Sequence, residues 1–450
     1  MTSGYGPHGG TIAALATPPG IAALAVIRVS GPLALRLLGD LTGIEEWPPR
    51  QARHVTLRQS RDVLDDVVAV CWRQPHSYTG EDVVEITCHG NPSIAQRILA
   101  VLLKRGARAA GPGEFTERAF LNGKLDLTEA EAVQDLIAAS TETALRGARS
   151  MKEGKLSARL EEIRRELTGL LAHLEAYIDF PEEDIAPEVT SGFAEKLDMI
   201  LTNLRQLIAT APTGRVLREG VATAIVGAPN AGKSSLLNRL LREERAIVSP
   251  TPGTTRDTIE AECQLGGVLL RLIDTAGRRA TNEAVEAEGV SRAEAALQRA
   301  QLVLHVVDGH EAPAIDGIDP ERLSPGQQYL RVANKADLGL HEGQPGDVVA
   351  LSALTGAGLD TLERRVAELL LECPAVDPES WLTVNARQES ALRRAETAAA
   401  RAREQLHAAA PPELISVDLR AALDAVGEVV GASTNEDILD QLFATFCIGK

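Results

Sequence analysis

Paired cysteines are missing from this chain. The five it has, Cys71, Cys88, Cys263, Cys373 and Cys447, are spread singly with no CxxC pair, which indicates neither a zinc site nor a disulfide framework. A long apolar run is missing too. The longest early stretch, around Ile12 to Val29, is broken by Pro18-Pro19-Gly20 and has no basic leader, which argues against a signal peptide and against a membrane span. An excess of positive charge is the third absence: 46 Lys and Arg face 63 Asp and Glu, for a net charge of −17. That balance excludes a generally basic nucleic-acid binder, so any RNA contact has to come from a local patch. The part through Lys124 differs, with 13 basic and 11 acidic residues, a net +2 that leaves −19 for the remainder. A soluble, cytoplasmic protein of a reducing compartment is expected.

What is present is an ordinary globular composition, 44% hydrophobic and 24% charged over 450 residues, enough for about three domains. From Thr11 to about Lys124 the apolar runs Ala22 to Val29 and Val67 to Trp72 read as strands, and Ile94, Ile98, Val101 and Leu102 fall at helical spacing. An α+β domain over residues 1–124 fits. After Leu127 the chain changes texture, and Glu129 to Ala148 is rich in Ala, Leu and Glu, all good helix formers. Leu156, Leu160, Ile163, Leu167, Leu170, Leu174 and Tyr177 then alternate spacings of four and three, the pattern of a packed helix seam. A coiled coil with a partner chain is open, and an intramolecular bundle is preferred for so short a run. Helical composition returns over Ala386 to Ala410 and Val417 to Phe446, so an all-α helical domain is expected from residues 125–215 and 374–450. The insert, residues 216–373, alternates strand and helix, with β-rich runs at Val221 to Val226, Val268 to Ile273, Leu302 to Val307, Tyr329 to Ala333 and Val348 to Leu351. That order implies a mainly parallel sheet covered by helices on both faces.

The insert carries Gly227-Ala228-Pro229-Asn230-Ala231-Gly232-Lys233-Ser234, followed by Ser235, a complete GxxxxGK[ST] loop between a strand and a helix. Glycines let backbone N–H groups turn inward around phosphate oxygens, and the helix N-terminus adds a favourable field. Lys233 is expected to reach the β- and γ-phosphates and the Ser234 hydroxyl to ligate Mg²⁺. Asp274-Thr275-Ala276-Gly277 closes a later strand, placing a carboxylate near the metal and the Gly277 N–H near the γ-phosphate. Asn334-Lys335-Ala336-Asp337 ends another. The Asp337 carboxylate can accept from guanine N1–H and N2–H₂ together, a pair of donors that adenine lacks. A backbone N–H of Ser352-Ala353-Leu354, just past the last strand, can meet guanine O6. Order and spacing resemble a Ras-like GTPase domain, with GTP rather than ATP as ligand; ATP-dependent transport or remodelling is excluded by Asn334-Lys335-Ala336-Asp337.

Arg278 stands after Asp274-Thr275-Ala276-Gly277, where Ras-like enzymes that place water with a side chain use Gln, so another device has to orient the nucleophile. Downstream of the phosphate loop lies Ser249-Pro250-Thr251-Pro252-Gly253-Thr254-Thr255-Arg256-Asp257. Thr255 is a natural Mg²⁺ ligand that would make this loop a switch. Asn230, Ser249, Thr251 and Thr254 offer neutral oxygens suited to K⁺, which can stabilise transition-state charge as an arginine finger does.

The phosphate loop with Asn230, the Gly253-Thr254-Thr255-Arg256-Asp257 stretch and the helical flanks make the chain similar to the tRNA modification GTPase family MnmE (TrmE). Four further segments agree: Ala16-Thr17-Pro18-Pro19-Gly20, Gly80 through Gly90, Gly111 through Leu127, and the C-terminal Phe446-Cys447-Ile448-Gly449-Lys450. The resemblance covers essentially the whole chain. It implies a folate-binding, dimerising N-terminal domain, a discontinuous helical domain and an inserted GTPase. It also implies a homodimer working with MnmG (GidA), a flavoprotein that carries FAD. Together they would add an aminomethyl or carboxymethylaminomethyl group to C5 of the wobble uridine of certain tRNAs. The one-carbon unit would come from a tetrahydrofolate derivative, 5-formyl- or methylene-tetrahydrofolate. By motif, Arg28, Glu85, Lys124 and Lys450 would contact the folate, Glu286 would orient the attacking water through a bridging water, and Cys447 is a candidate nucleophile. Read singly, Arg28 ends a strand, Lys124 suits solvated surface, Glu286 suits an exposed helix and Cys447 suits a buried bundle position. The chain departs from the family at Ala22, where a glycine is usual, and at Arg278, where an apolar residue is usual. The rival reading is a GTPase switch in ribosome assembly with no modification chemistry.

Overall fold

The computed structural model describes residues 9–179, 191–242, 259–273, 296–312, 323–371, 373, 376–377, 379–432 and 436–450. They fall into two compact units, one of residues 1–134 with 427–450 and one of residues 135–426. No described helix is long and apolar enough to cross a membrane.

The first unit is built on a six-stranded sheet in the order β3-β4-β5-β2-β1-β6. Its strands are β1 (Ile12–Leu15), β2 (Leu24–Ser30), β3 (Arg53–Gln59), β4 (Asp62–Trp72), β5 (Val83–His89) and β6 (Arg108–Ala109). All pairs are antiparallel except β1 with β6. Strand side chains alternate faces, so Ala25, Ile27 and Val29 of β2 join Val84, Ile86 and Cys88 of β5 in one core. Helices Ala34–Thr42 and Pro92–Lys104 cover that face with Leu37, Leu38, Leu41, Ile98 and Leu102. The second helix starts where the motifs of its sequence say it should: Asn91 accepts a hydrogen bond from the Ser93 N–H and Pro92 takes the first turn. The same alternation sends Arg28 and Glu85, which are direct cross-strand partners, to the opposite face. The chain end returns here. Leu439, Phe443 and Phe446 pack on Leu127 and Ala130, and Gly113, at φ +63°, is needed because a Cβ there would lie 2.8 Å from the Phe443 carbonyl oxygen.

In the second unit a six-stranded sheet runs β12-β11-β10-β7-β9-β8. Its strands are β7 (Val221–Val226), β8 (Ile259–Leu265), β9 (Val268–Ile273), β10 (Leu302–Asp308), β11 (Gln328–Asn334) and β12 (Val349–Ala350). Every pairing is parallel except β8 with β9. This is the Ras-like α/β arrangement that the strand–helix alternation implied. From β7 the chain goes first to one side of the sheet and then, through β10, to the other. That reversal opens a crevice beyond the C-terminal end of β7, where ligands of such sheets bind. β8 was not expected as a strand. Its apolar residues alternate with Glu260, Glu262 and Gln264, as suits an edge strand, and no continuous apolar run marks it.

Helices Lys155–Asp179, Ser191–Ala209 and Ala386–His407 pack together in this unit. Leu156, Leu160, Ile163, Leu167, Leu170 and Leu174 are buried, so the seam is satisfied within the chain, as a bundle. Leu160, Leu167 and Leu174 are fully buried; truncating such a leucine typically costs about 2–5 kcal/mol. The buried face of Ala386–His407 holds Gln388 and Leu392 beside Ala391, Ala395, Ala398, Ala399 and Ala402, and the alanines are small enough for close helix approach. Two of the helix-rich stretches each hold a pair of helices. Glu129 to Ala148 is two helices, Leu127–Ala138 and Glu142–Lys152, because the Thr141 hydroxyl accepts from the Ala144 N–H at 3.1 Å and starts a new helix. Val417 to Phe446 becomes Pro412–Val430 and Glu436–Phe443, with Gly431 at φ +88° after the first.

Candidate functional site

Beyond Val226 the backbone turns through Gly227 (φ +142°), Asn230 (φ +63°) and Gly232 (φ +98°) before helix Lys233–Arg242 begins. Glycine at 232 is obligatory, since a Cβ would sit 2.0 Å from Asn334 Nδ2. Asn334, only 3% exposed at the end of β11, donates through Nδ2 to the Ala231 carbonyl at 3.0 Å. Its Oδ1 accepts the Ala353 N–H at 2.9 Å. One amide thus joins the phosphate loop to Ser352-Ala353-Leu354. In the next turn Asp337 Oδ1 accepts the Ser352 hydroxyl at 2.5 Å. Asn334, Asp337, Ala353 and Leu354 line one cleft of about 570 Å³ that also takes in Asn230, Lys233, Ser234 and Ser235.

Inside the cleft the Lys233 ammonium donates to the Gly227 and Ala228 carbonyls at 2.8 and 2.7 Å, and burial pushes its pKa down. Ser234 and Ser235 are exposed at the helix start, and Asn230 is exposed in the left-handed region. A hydroxyl there is a hard oxygen ligand of the kind Mg²⁺ takes, and Ser234 fits that role. Lys335, also left-handed at φ +63°, reaches Asp308 Oδ2 at 2.6 Å. The hydrogen bond to Asp308 raises the Lys335 pKa. Burial opposes ionisation of Asp308, but the Lys335 bond and the His310 N–H hold its carboxyl below the ordinary range. Ser249 through Thr255, Asp274 through Gly277, Arg278 and Glu286 lie outside the described residues.

The second set of candidate residues sits in the first unit. Both Arg28 donors Nε and Nη2 go to Glu85 Oε1, at 2.9 and 2.8 Å. Arg28 Nη1 donates to the Gly449 carbonyl at 3.2 Å. The guanidinium lies 5.5 Å from the Tyr78 ring centre and 5.6 Å from that of Phe115, within cation–π range. The tail is stitched in place by Gly113 N–H to the Cys447 carbonyl, at 3.3 Å, and Phe115 N–H to the Lys450 carbonyl, at 3.2 Å. Arg28, Glu85 and the tail carrying Lys450 therefore meet. Lys124 is exposed, with its stem over Gly80. Cys447 is exposed and outside any helix, which removes the reading of it as a buried bundle cysteine.

Residues 11–124 match the family model described as the GTP-binding protein TrmE N-terminus, and residues 127–447 match the MnmE helical domain. Across 98% of its length the chain is 44% identical to a tRNA modification GTPase MnmE from Symbiobacterium thermophilum. It is 45% identical to one from Opitutus terrae and 43% to one from Aquifex aeolicus, each covered over 99%. The chain belongs to the tRNA modification GTPase MnmE family.

In this MnmE-family chain several residues bonded at or near the candidate sites carry no motif in the sequence. Asp308 was one, although β10 and β11 pair Asp308 with Asn334 in register; a strand-end carboxylate beside Asn334 was the available signal. Arg239 was another, donating to the Ala353 carbonyl at 3.0 Å and to the Leu354 carbonyl. The third is a buried charge cluster beneath the tail. Glu114 and Arg118, 4% and 3% exposed, join Arg108 and Glu81. Tyr78, whose ring lies by Arg28, shares a hydrogen bond of 2.9 Å with the Thr116 hydroxyl, and burial raises its phenol pKa.

Burial alone would raise the Glu114 pKa, yet hydrogen bonds from Arg108, the Gly111 N–H and Arg118 lower it from its reference value of 4.5. A carboxyl depressed in the folded state contributes stability above its unfolded pKa and loses it as pH falls through the folded one. Stability of the wild-type chain should therefore decline as acid passes below about pH 4.5. Glu114→Gln should be about 3–5 kcal/mol less stable at pH 7, the typical cost of breaking a buried ion cluster from one side. It should also show a shallower acid decline. Urea unfolding followed between pH 7 and pH 3 measures both, and parallel curves for the two proteins would refute the assignment.

Proposed function

We propose that this chain hydrolyses GTP as part of tRNA modification. As a homodimer working with an FAD-containing partner, MnmG, it adds an aminomethyl or carboxymethylaminomethyl group to C5 of the wobble uridine, in the cytoplasm, using a tetrahydrofolate derivative. The observation that carries the nucleotide half is the cleft where Asp337, oriented by the Ser352 hydroxyl, faces the phosphate loop across Asn334. The modification half is supported by whole-length similarity to proteins named tRNA modification GTPases and by the meeting of Arg28, Glu85 and the C-terminal tail.

In this reading the loop N–H groups from Asn230 to Ser235 cradle phosphate, and Lys233 exchanges the Gly227 and Ala228 carbonyls for β- and γ-phosphate oxygens. Asp337 accepts guanine N1–H and N2–H₂. Ser234 and Thr255 would hold Mg²⁺, and Asn230, Ser249, Thr251 and Thr254 would hold K⁺; the two ions supply charge neutralisation at the phosphates when bound. The Gly277 N–H senses the γ-phosphate beside Asp274, and Glu286 orients the attacking water. In the first unit Glu85 accepts from a pterin amide and amine edge through the oxygen that Arg28 leaves open. Arg28, Lys124 and Lys450 attract the folate's carboxylates. Cys447, exposed on the tail, is available as a nucleophile toward the modification intermediate.

Asp337→Asn should weaken GTP binding by about 1–3 kcal/mol, since a paired acceptor is lost, and should favour xanthosine triphosphate. Titration calorimetry that returns the wild-type GTP affinity would refute the role. Hydrolysis should be much faster in KCl than in NaCl at equal ionic strength, because the smaller ion spans the same oxygens poorly, and Asn230→Ala should erase the difference. Equal rates in both salts would remove the potassium mechanism. For the reaction as a whole, mass spectrometry of wobble nucleosides from a deletion strain should show loss of the C5 substituent, regained with the wild-type gene. Unchanged nucleosides would leave a GTPase switch without modification chemistry.

A further inference from the structure

We propose that Arg239 is a positioning residue for guanine selectivity, acting through the Leu354 N–H; the proposal rests on the guanine reading of the cleft given above. Arg239 is on helix Lys233–Arg242, which issues from the phosphate loop. It is half-buried and does not line the cleft, whereas Ala353 and Leu354 do. Its Nε donates to the Ala353 carbonyl at 3.0 Å, and its Nη2 donates to the Leu354 carbonyl. Two successive carbonyls are thus drawn out of the cleft toward one guanidinium.

The consequence follows from peptide planarity. In a trans peptide the carbonyl and the following N–H point in opposite directions, so fixing the Ala353 carbonyl on Arg239 turns the Leu354 N–H to the cleft side. The neighbouring donors of this loop are spent. Ser352 N–H goes to the Ala357 carbonyl at 2.8 Å and Ala353 N–H goes to Asn334 Oδ1 at 2.9 Å. Thr355 N–H goes to the Ser352 hydroxyl at 3.2 Å. The Leu354 N–H makes no hydrogen bond among the described residues, and Leu354 is 78% exposed. It is the donor this loop offers to guanine O6. Asn334 grips the same loop from the phosphate-loop side, so the two peptides that flank the Ala353 Cα are each held, one at the Ala353 N–H and one at the Ala353 carbonyl. Without Arg239 the carbonyl side is released and the Leu354 N–H is free to rotate away from the base. A donor held there also repels the 6-amino group of adenine, so its orientation bears on which base enters and not only on how tightly.

The test compares the full-length wild-type chain with Arg239→Ala and Arg239→Lys, using GDP and 6-thioguanosine diphosphate. The thio analogue keeps N1–H and the 2-amino group that Asp337 reads, and it weakens only the acceptor at position 6. The wild type should prefer GDP. Arg239→Ala should weaken GDP binding about 10-fold, the scale of losing charge-assisted hydrogen bonds, but weaken the thio analogue less, so that the preference shrinks. Arg239→Lys, which can hold one carbonyl, should keep an intermediate preference. Thermal melting confirms folding; if Arg239→Ala does not fold, Arg239→Lys carries the comparison. Equal weakening of both ligands, or of neither, would overturn the positioning role. A wild-type chain that binds ADP as tightly as GDP would instead overturn the guanine reading, and this proposal with it.

Discussion

The buried side-chain amide of Asn334 makes two bonds that cannot be traded for water: Nδ2 to the Ala231 carbonyl and Oδ1 from the Ala353 N–H. An amide at that depth costs a full desolvation penalty for each group left unpaired, about 1–3 kcal/mol, so the glycine-rich loop and the Ser352-Ala353-Leu354 loop hold their relative positions or lose that energy. Gly232 follows from the same constraint, since any side chain there would displace the amide. The Ser352 hydroxyl on Asp337 and the Arg239 guanidinium on the next two carbonyls then refine a geometry that Asn334 has already closed.

The first unit solves a comparable problem with charge. Its helices need one face of the sheet, and period-two alternation leaves Arg28 and Glu85 on the other. A carboxylate, a backbone carbonyl and two aromatic faces surround the guanidinium so placed and offset what its burial costs. Glu114 and Arg118 play the corresponding part under the tail, where each charge is buried and each is bonded by the other and by further partners. The tail itself contributes backbone carbonyls more than side chains: Cys447, Gly449 and Lys450 all accept hydrogen bonds through them. That leaves the Cys447 thiol outside the packing.

Much of the second unit was legible in advance because its signals are local. The phosphate loop is eight consecutive residues between a strand and a helix, and strand β7 and helix Lys233–Arg242 bracket it where the apolar pattern said they would. The spacing of the leucines of Lys155–Asp179 marks a buried stripe, and the shortness of the run favours the packing inside the chain that the structure has. What failed to show was equally physical. β8 alternates charged and apolar residues and gains its strand identity from pairing with β9. The break at Thr141 hangs on one hydroxyl choosing a cap over a helix interior.

Sequence by itself determined what each motif offers: a GxxxxGK[ST] loop with its lysine and serine, a carboxylate at Asp337, a family resemblance spanning the chain. Those features lie in short contiguous runs, where backbone geometry and residue type suffice. Only the tertiary structure decided which distant groups complete them. Asn334 meets an Ala231 carbonyl 103 residues away and Arg28 meets Gly449 across 421 residues. Arg239 finds the Ala353 carbonyl across 114. No local propensity encodes such partners; they arise when the sheet order and the return of the chain end bring buried donors to acceptors that would otherwise stand unpaired.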